Sequence, residues 1–289
     1  MYHSLSDLCR LSALKEQPVW RIILDSEIKN FGGSEASIFA ELERRMQVME
    51  SSATKALEKP YHTVGDLITG MAMTQNTYTK SDDTVCGSMI NRTMAMALSS
   101  CEINGSMGKI CAAPTAGSCG ILPAVLISVS EQLGATRRQT LEALLIASGV
   151  GAVITENATV SGSEGGCQAE CGVAAAMASA AVVYLKGGTP EMMMNACGFT
   201  LVNCMGLVCD PVAGLVQVPC AARNASQAVN ALVSADLALS GMDTVIPPDE
   251  IVEAMYKVGR ALPVSLRETA MGGIAATPTG KKIKKSIFK

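Results

Sequence analysis

The chain has 289 residues, a net charge of −3 and a pI near 5.5, which exclude the basic face that a nucleic-acid partner requires. Hydrophobic residues make up 48% and charged ones 17%, enough apolar material for one large or two modest domains with a substantial core. Aromatics are only 3%, and a core of Ala, Gly, Met and Cys suits close-packed helices better than a β-sandwich.

Helical signals then follow one another along the chain. The N-terminus, Met1-Tyr2-His3-Ser4-Leu5-Ser6-Asp7, has no basic stretch followed by an apolar run, so no secretory signal is expected. Ser34 can cap a helix with Ile38, Phe39, Leu42, Met46 and Met49 on one face. Residues 1–80 are more charged than the rest and read as a lead-in packing on a main domain of residues 81–289. Thr136-Arg137-Arg138-Gln139 has the form of a capping box, and Thr189-Pro190-Glu191 places proline and an acid in a first turn. Residues 173–185 form the longest apolar run, too short to span a bilayer, and predict a buried helix with no membrane partner. Leu215-Val216-Gln217-Val218 is the best candidate for a strand, with proline directly after it. Pro247-Pro248-Asp249-Glu250 opens another helix, and the basic end Lys281-Lys282-Ile283-Lys284-Lys285 reads as a solvated face. The pattern predicts an all-α fold.

Eleven cysteines, an odd number with no signal peptide, point to a reducing cytoplasm and to packing, ligand or thiol roles rather than disulfides. Cys197 and Cys204 sit among Met, Ala and Leu and read as packing. Cys86, Cys101, Cys111 and Cys119 fit either packing or a site, and Cys9 is incidental. Three others lie in glycine- and proline-bearing segments: Gly165-Gly166-Cys167-Gln168-Ala169-Glu170, Val208-Cys209-Asp210-Pro211-Val212-Ala213-Gly214 and Gln217-Val218-Pro219-Cys220. Thiolates on turns can converge, and three of them can hold an iron–sulfur cluster with one iron left free of protein ligands. Cys171, four residues after Cys167, competes for the same role. There is no C-x-x-C pair to suggest a zinc ribbon or ferredoxin. The segment Ala112-Ala113-Pro114-Thr115-Ala116-Gly117-Ser118-Cys119-Gly120 runs into an apolar helix and can turn backbone N–H groups toward an anion. Ala275-Ala276-Thr277-Pro278-Thr279-Gly280 has a similar core and reads as a tight turn.

The segments Ser161-Gly162-Ser163-Glu164-Gly165-Gly166-Cys167-Gln168-Ala169-Glu170, Gly206-Leu207-Val208-Cys209-Asp210-Pro211-Val212-Ala213-Gly214 and Val218-Pro219-Cys220-Ala221-Ala222-Arg223-Asn224 resemble those of the iron–sulfur-dependent bacterial L-serine dehydratases. So do Ala113-Pro114-Thr115-Ala116-Gly117, Leu266-Arg267-Glu268-Thr269 and Gly272-Gly273-Ile274-Ala275-Ala276-Thr277-Pro278-Thr279-Gly280. The likeness is strong over residues 85–289 and is greatest to the α chain of the two-subunit type. It implies a helical domain with cluster-binding loops between its helices and a [4Fe–4S] cluster on Cys167, Cys209 and Cys220. Some single-chain relatives also supply a terminal cysteine, which Lys285-Ser286-Ile287-Phe288-Lys289 lacks. The resemblance further implies a β chain carrying a Ser-His-Thr-x-Gly-Pro-Met motif with the catalytic histidine. Tyr61-His62-Thr63-Val64-Gly65-Asp66 shares only the His-Thr-x-Gly portion and reads as a chance likeness.

The implied reaction removes water from L-serine and yields pyruvate and ammonia without pyridoxal phosphate. Thr115, Ala116, Gly117 and Ser118 are the candidates for the substrate carboxylate, with Arg223 or Arg267 as charge partners. The only histidines, His3 and His62, lie outside the strong motifs, so the base is expected from the β chain. Glu170 and Asp210, each beside a cluster cysteine, read as supports rather than bases. The same chemistry on threonine or cysteine, or a non-catalytic iron–sulfur subunit, remain the alternatives.

Overall fold

Helix starts follow the capping chemistry. In the computed structural model, which describes every residue except Asp82 and Lys289, the first helices are α1 (Leu5–Lys15), α2 (Val19–Phe31), α3 (Glu35–Lys55) and α4 (Met71–Thr79). At the start of α3, Ser34 Oγ accepts from Ser37 N at 3.2 Å and Ser37 Oγ accepts from Ser34 N at 2.9 Å, a reciprocal cap. Next come α5 (Gly87–Gly105), α6 (Ile121–Leu133) and α7 (Arg137–Asn157), the last opened by the expected Thr136–Gln139 box. A short α8 (Gly162–Gly165) and a π-helical turn (Gln168–Gly172) lead into α9 (Val173–Leu185). The chain finishes with α10 (Pro190–Cys204), α11 (Cys220–Leu239), α12 (Pro248–Ala261) and α13 (Pro278–Ile287). Among the described residues there is no strand, only an isolated parallel bridge between Cys209 and Arg267.

Helix α9 is the hub. Every residue from 173 to 183 is buried, as a helix that is apolar all round must be, and α6, α7, α10 and α11 pack about it. Its alanines let these neighbours approach closely. Two stretches, Ala116–Leu133 and Gln168–Leu185, are long and apolar enough to cross a membrane, but they are 67% and 83% buried inside this fold.

Helices α1, α2 and α3 share this core, which draws on residues from Tyr2 to Met255, while Ala72 of α4 packs in a second cluster with Leu98, Ile103 and Ala221. Ile23 of α2 packs over Gly149 of α7, where an added Cβ would lie 2.7 Å from Ile23 Cγ1. Outside the core, Arg137 bonds Glu43 at 2.8 Å and also Glu50, while Arg138 reaches Glu35 at 2.7 Å and lies over the Phe39 ring. Glu102 of α5 is fully buried and accepts from Tyr61 N at 2.6 Å and Ala72 N at 3.3 Å, which pins the segment before α4. Residues 215–218, the strand candidate, form a turn before α11. Gly214 adopts φ 73°, Gln217 N donates to Leu215 O at 2.7 Å, and no neighbouring strand is present to pair with them. The four lysines of α13 are exposed, as a solvated face should be.

Candidate active site

Each of the three turn cysteines is buried, and each stands next to a polar side chain that ties distant loops together. Cys167 follows Gly166, whose φ of 76° and approach to Leu207 O leave no room for a side chain. The next residue, Gln168, is fully buried. Its Nε2 donates to Gly165 O at 2.9 Å and Met255 O at 3.1 Å, and its Oε1 accepts from Gly206 N at 2.7 Å. One amide therefore joins the Cys167 turn, the approach to Cys209 and α12.

Cys209 is held through its backbone, with Cys209 N donating to Leu266 O at 2.9 Å and Glu268 N donating to Cys209 O at 2.7 Å. Its neighbour Asp210 is 3% exposed and would be costly to bury without partners. It has two: Arg223 Nη2 at 2.8 Å and Ile274 N at 2.8 Å. Gly273, at φ 55°, gives the Asp210 carboxylate its space, since a Cβ there would overlap it. Arg223 also donates to Val208 O at 2.7 Å.

Cys220 opens α11, and Asn224 lies one turn further along. The Asn224 Nδ2 group donates to Cys220 O at 2.9 Å and Gly117 O at 2.7 Å, while Oδ1 accepts from Gly120 N at 2.9 Å. The segment 112–120 is thereby fastened to the same helix end as Cys220. Ser118 is fully buried and turns its hydroxyl back on the loop, toward Ala113 O at 3.3 Å. Thr115 instead reaches across and donates to Glu170 Oε1 at 3.0 Å.

Glu170 lies between the 115–118 segment and Cys209. It projects from the π turn, a distortion frequent at functional sites, and its Oε2 lies 3.8 Å from Cys209 Sγ. Glycines enclose it: a Cβ on Gly117 would come within 3.2 Å of Oε1, and one on Gly162 within 2.5 Å of Oε2 and 3.1 Å of Cys209 Sγ. Ligand atoms of Glu170, Cys209 and Glu268 lie within 4.8 Å of one another. Burial, with the Glu268 charge adding to it, pushes the Glu170 carboxyl up to about 7. Burial also pushes the Cys220 thiol up to about 12, and it raises Cys209 strongly, with Glu170 and Cys167 adding repulsion. Cys167 moves the other way, because Cys171 hydrogen-bonds to it and Arg223 stands near.

The sequence candidates thus divide. Cys167, Cys209 and Cys220 feel one another's charge within one buried region, and the 115–118 segment and Arg267 border it through Glu170 and Cys209. Arg267 has a buried Nε with no partner. Arg223 is already committed to Asp210 and Val208. Cys171 is buried in the core, with its thiol against Cys167 and 3.9 Å from Asn224 Nδ2. Cys197 and Cys204 are buried packing residues bonded to carbonyls of their own surroundings. His62 is exposed and paired with Asp66 at 3.0 Å, and His3 is paired with Glu156 at 2.9 Å. The structural roles of Gln168 and Asn224 escaped the sequence reading. Their signal was an amide beside a cysteine in a segment otherwise destined for burial.

The donor set suits a cationic inorganic centre. Buried thiols that oppose one another's ionisation are relieved when a metal binds them as thiolates, and the glycine at 162 clears space beside Cys209. In this all-α fold, loop thiols beside a carboxyl and a hydroxyl form a donor set able to hold a metal. The sequence profile described as serine dehydratase alpha chain matches residues 15–275, and the chain belongs to that family. It is 46% identical over 283 residues to the L-serine dehydratase alpha chain of Peptoniphilus asaccharolyticus, covering 98% of this chain and 96% of that one. It is 42% identical over 288 residues to the probable L-serine dehydratase alpha chain of Bacillus subtilis, covering 100% and 96%. To the L-serine dehydratase TdcG of Escherichia coli it is 32% identical over 282 residues, covering 95% of this chain but 61% of that longer protein.

Proposed function

We propose that this chain is the α subunit of an iron–sulfur-dependent L-serine ammonia-lyase, which converts L-serine to pyruvate and ammonia. The observation that carries the reading is that the buried Cys167, Cys209 and Cys220 lie on segments tied to one another, Gln168 to Gly206 and Arg223 to Asp210, in a chain similar end to end to L-serine dehydratase alpha chains. These three residues would hold a [4Fe–4S] cluster. When bound, such a cluster supplies one iron without a protein ligand, a Lewis acid for the departing hydroxyl. The chain's own residues do the rest of what this subunit contributes. Asp210 and Arg223 hold the Cys209 loop, Gln168 the Cys167 turn, and Asn224 the start of α11. The Ala116 and Gly117 backbone would receive the substrate's anionic group, with Arg267, whose buried Nε has no partner, as its charge partner.

The base that takes the α proton would come from a β chain, since both histidines of this chain are engaged on the surface. Pyridoxal phosphate has no part in this reading. Eleven free cysteines suit a reducing compartment, and we place the enzyme in the cytoplasm. The test is anaerobic reconstitution of Cys167→Ser, Cys209→Ser and Cys220→Ser beside Cys171→Ala. Each of the first three is expected to lose bound iron and all turnover, whereas Cys171→Ala keeps its iron. Full iron retention in any of the three serine variants would remove that residue from the ligand set.

A further inference from the structure

The Cys111–Pro114 segment and helices α3, α6, α7 and α9 line a cavity of about 280 Å³, and none of Cys167, Cys209 and Cys220 borders it. Its walls are the buried side chains of Leu42, Met49, Leu122, Leu144 and Met177. Helix α7 supplies the opening. Its residues 140–154 are all buried except Ser148 and Ala152, one turn apart, which border the cavity with small side chains. Between them Gly151 lets Met177 lie close, since a Cβ there would come within 2.9 Å of Met177 Sδ. The volume is near the lower end for small-molecule sites, about 300 Å³.

The rim is cationic. Arg45 borders the cavity, and its Nε donates to Glu41 Oε1 at 2.8 Å. Arg44 holds the other Glu41 oxygen, so one carboxylate is divided between two guanidiniums with five donors each. Grooves continue from Arg45 and Cys111 along α3, where Lys55 and Lys109 add two ammonium groups. Glu41 is the one carboxylate among the described residues that line them. Apolar walls favour a hydrocarbon tail and the rim favours a negative charge, whereas an amine would be repelled.

We propose that this cavity binds a small aliphatic carboxylate, with its tail between α3, α6, α7 and α9 and its carboxylate at Arg45. The site is separate from the cysteine region and does not depend on the serine reading.

The experiment uses hexanoate, 1-hexanol and hexylamine as probes, titrated calorimetrically into the full chain and into the αβ holoenzyme, both kept anaerobic. Hexanoate is expected to bind saturably at one site, hexanol about tenfold more weakly and hexylamine not measurably, the scale of one charge-assisted hydrogen bond. Arg45→Gln should weaken hexanoate about tenfold and leave hexanol unchanged. Ala152→Phe should fill the cavity and abolish the binding of both. Hexanoate should also protect Cys111 from alkylation by N-ethylmaleimide, read by mass spectrometry, while the exposed Cys86 reacts as before. The Arg45 side chain is largely exposed, so its replacement decides the matter even if Ala152→Phe fails to fold. Absence of saturable hexanoate binding, hexylamine binding as tightly as hexanoate, indifference to Arg45→Gln, or an unprotected Cys111 would overturn the proposal. So would binding to the chain alone that vanishes in the holoenzyme, because the face would then belong to the subunit interface.

Discussion

At the scale of single residues, one amide does what three loops require. Asn224 fixes Gly117, Gly120 and Cys220 from a position with no solvent exposure. Replacing it by Leu leaves the buried Gly120 N–H and the Gly117 carbonyl without their partner, at a cost of about 2–3 kcal/mol. Chemical denaturation of the isolated chain should show that loss, and iron retention should fall with it, because the Cys220 end of α11 is no longer held to the 112–120 segment. An Asn224→Leu chain as stable as the wild type would mean that water satisfies those groups instead. The cysteines were visible in the sequence because glycine and proline mark turns, and a turn can present a thiol. The partners of those cysteines were not, because a buried amide in a helix looks the same in sequence as an exposed one.

At the scale of elements, local start signals open several helices: Ser34, Thr136 and Thr189 cap theirs, and Pro248 stands at a first helical position. The π turn was illegible, since inserting one residue into a helical turn leaves no compositional trace. The 215–218 segment was misread because alternation predicts a strand only where a neighbouring edge exists. The docking of α3 on α7 gives a pH-dependent quantity. Arg138 holds the Glu35 carboxyl below its usual range, and Arg137 does the same to Glu43. A carboxyl depressed in the folded state adds stability above its unfolded value, about pH 4.3, and that contribution drains away as pH falls through the folded value. The melting temperature of wild type should therefore exceed that of Arg137→Leu at pH 7 and 5, and the gap should close below about pH 4. A gap constant across that range would show that Arg137 acts through packing alone. These pairs are substantially exposed, so high salt should also narrow the gap.

At the scale of the whole molecule, α1, α2 and α3 contribute to the same core as α9, and the candidate site draws on segments from four parts of the chain. Its two histidines lie on the surface within hydrogen-bond distance of acids. The chain purified alone with its iron intact is therefore expected to show little or no L-serine turnover, with activity appearing on addition of a β chain. Full activity from the chain alone would place the base in this subunit, and Glu170 would be the first residue to test. The assembly of the site has a further outcome for protein chemistry. Cys167, Cys209 and Cys220 sit on three separate stretches, each braced by side chains from elsewhere. No synthetic peptide cut from this chain can serve as a miniature of the proposed centre. Excised fragments would have to reassemble the bundle before they could bind anything.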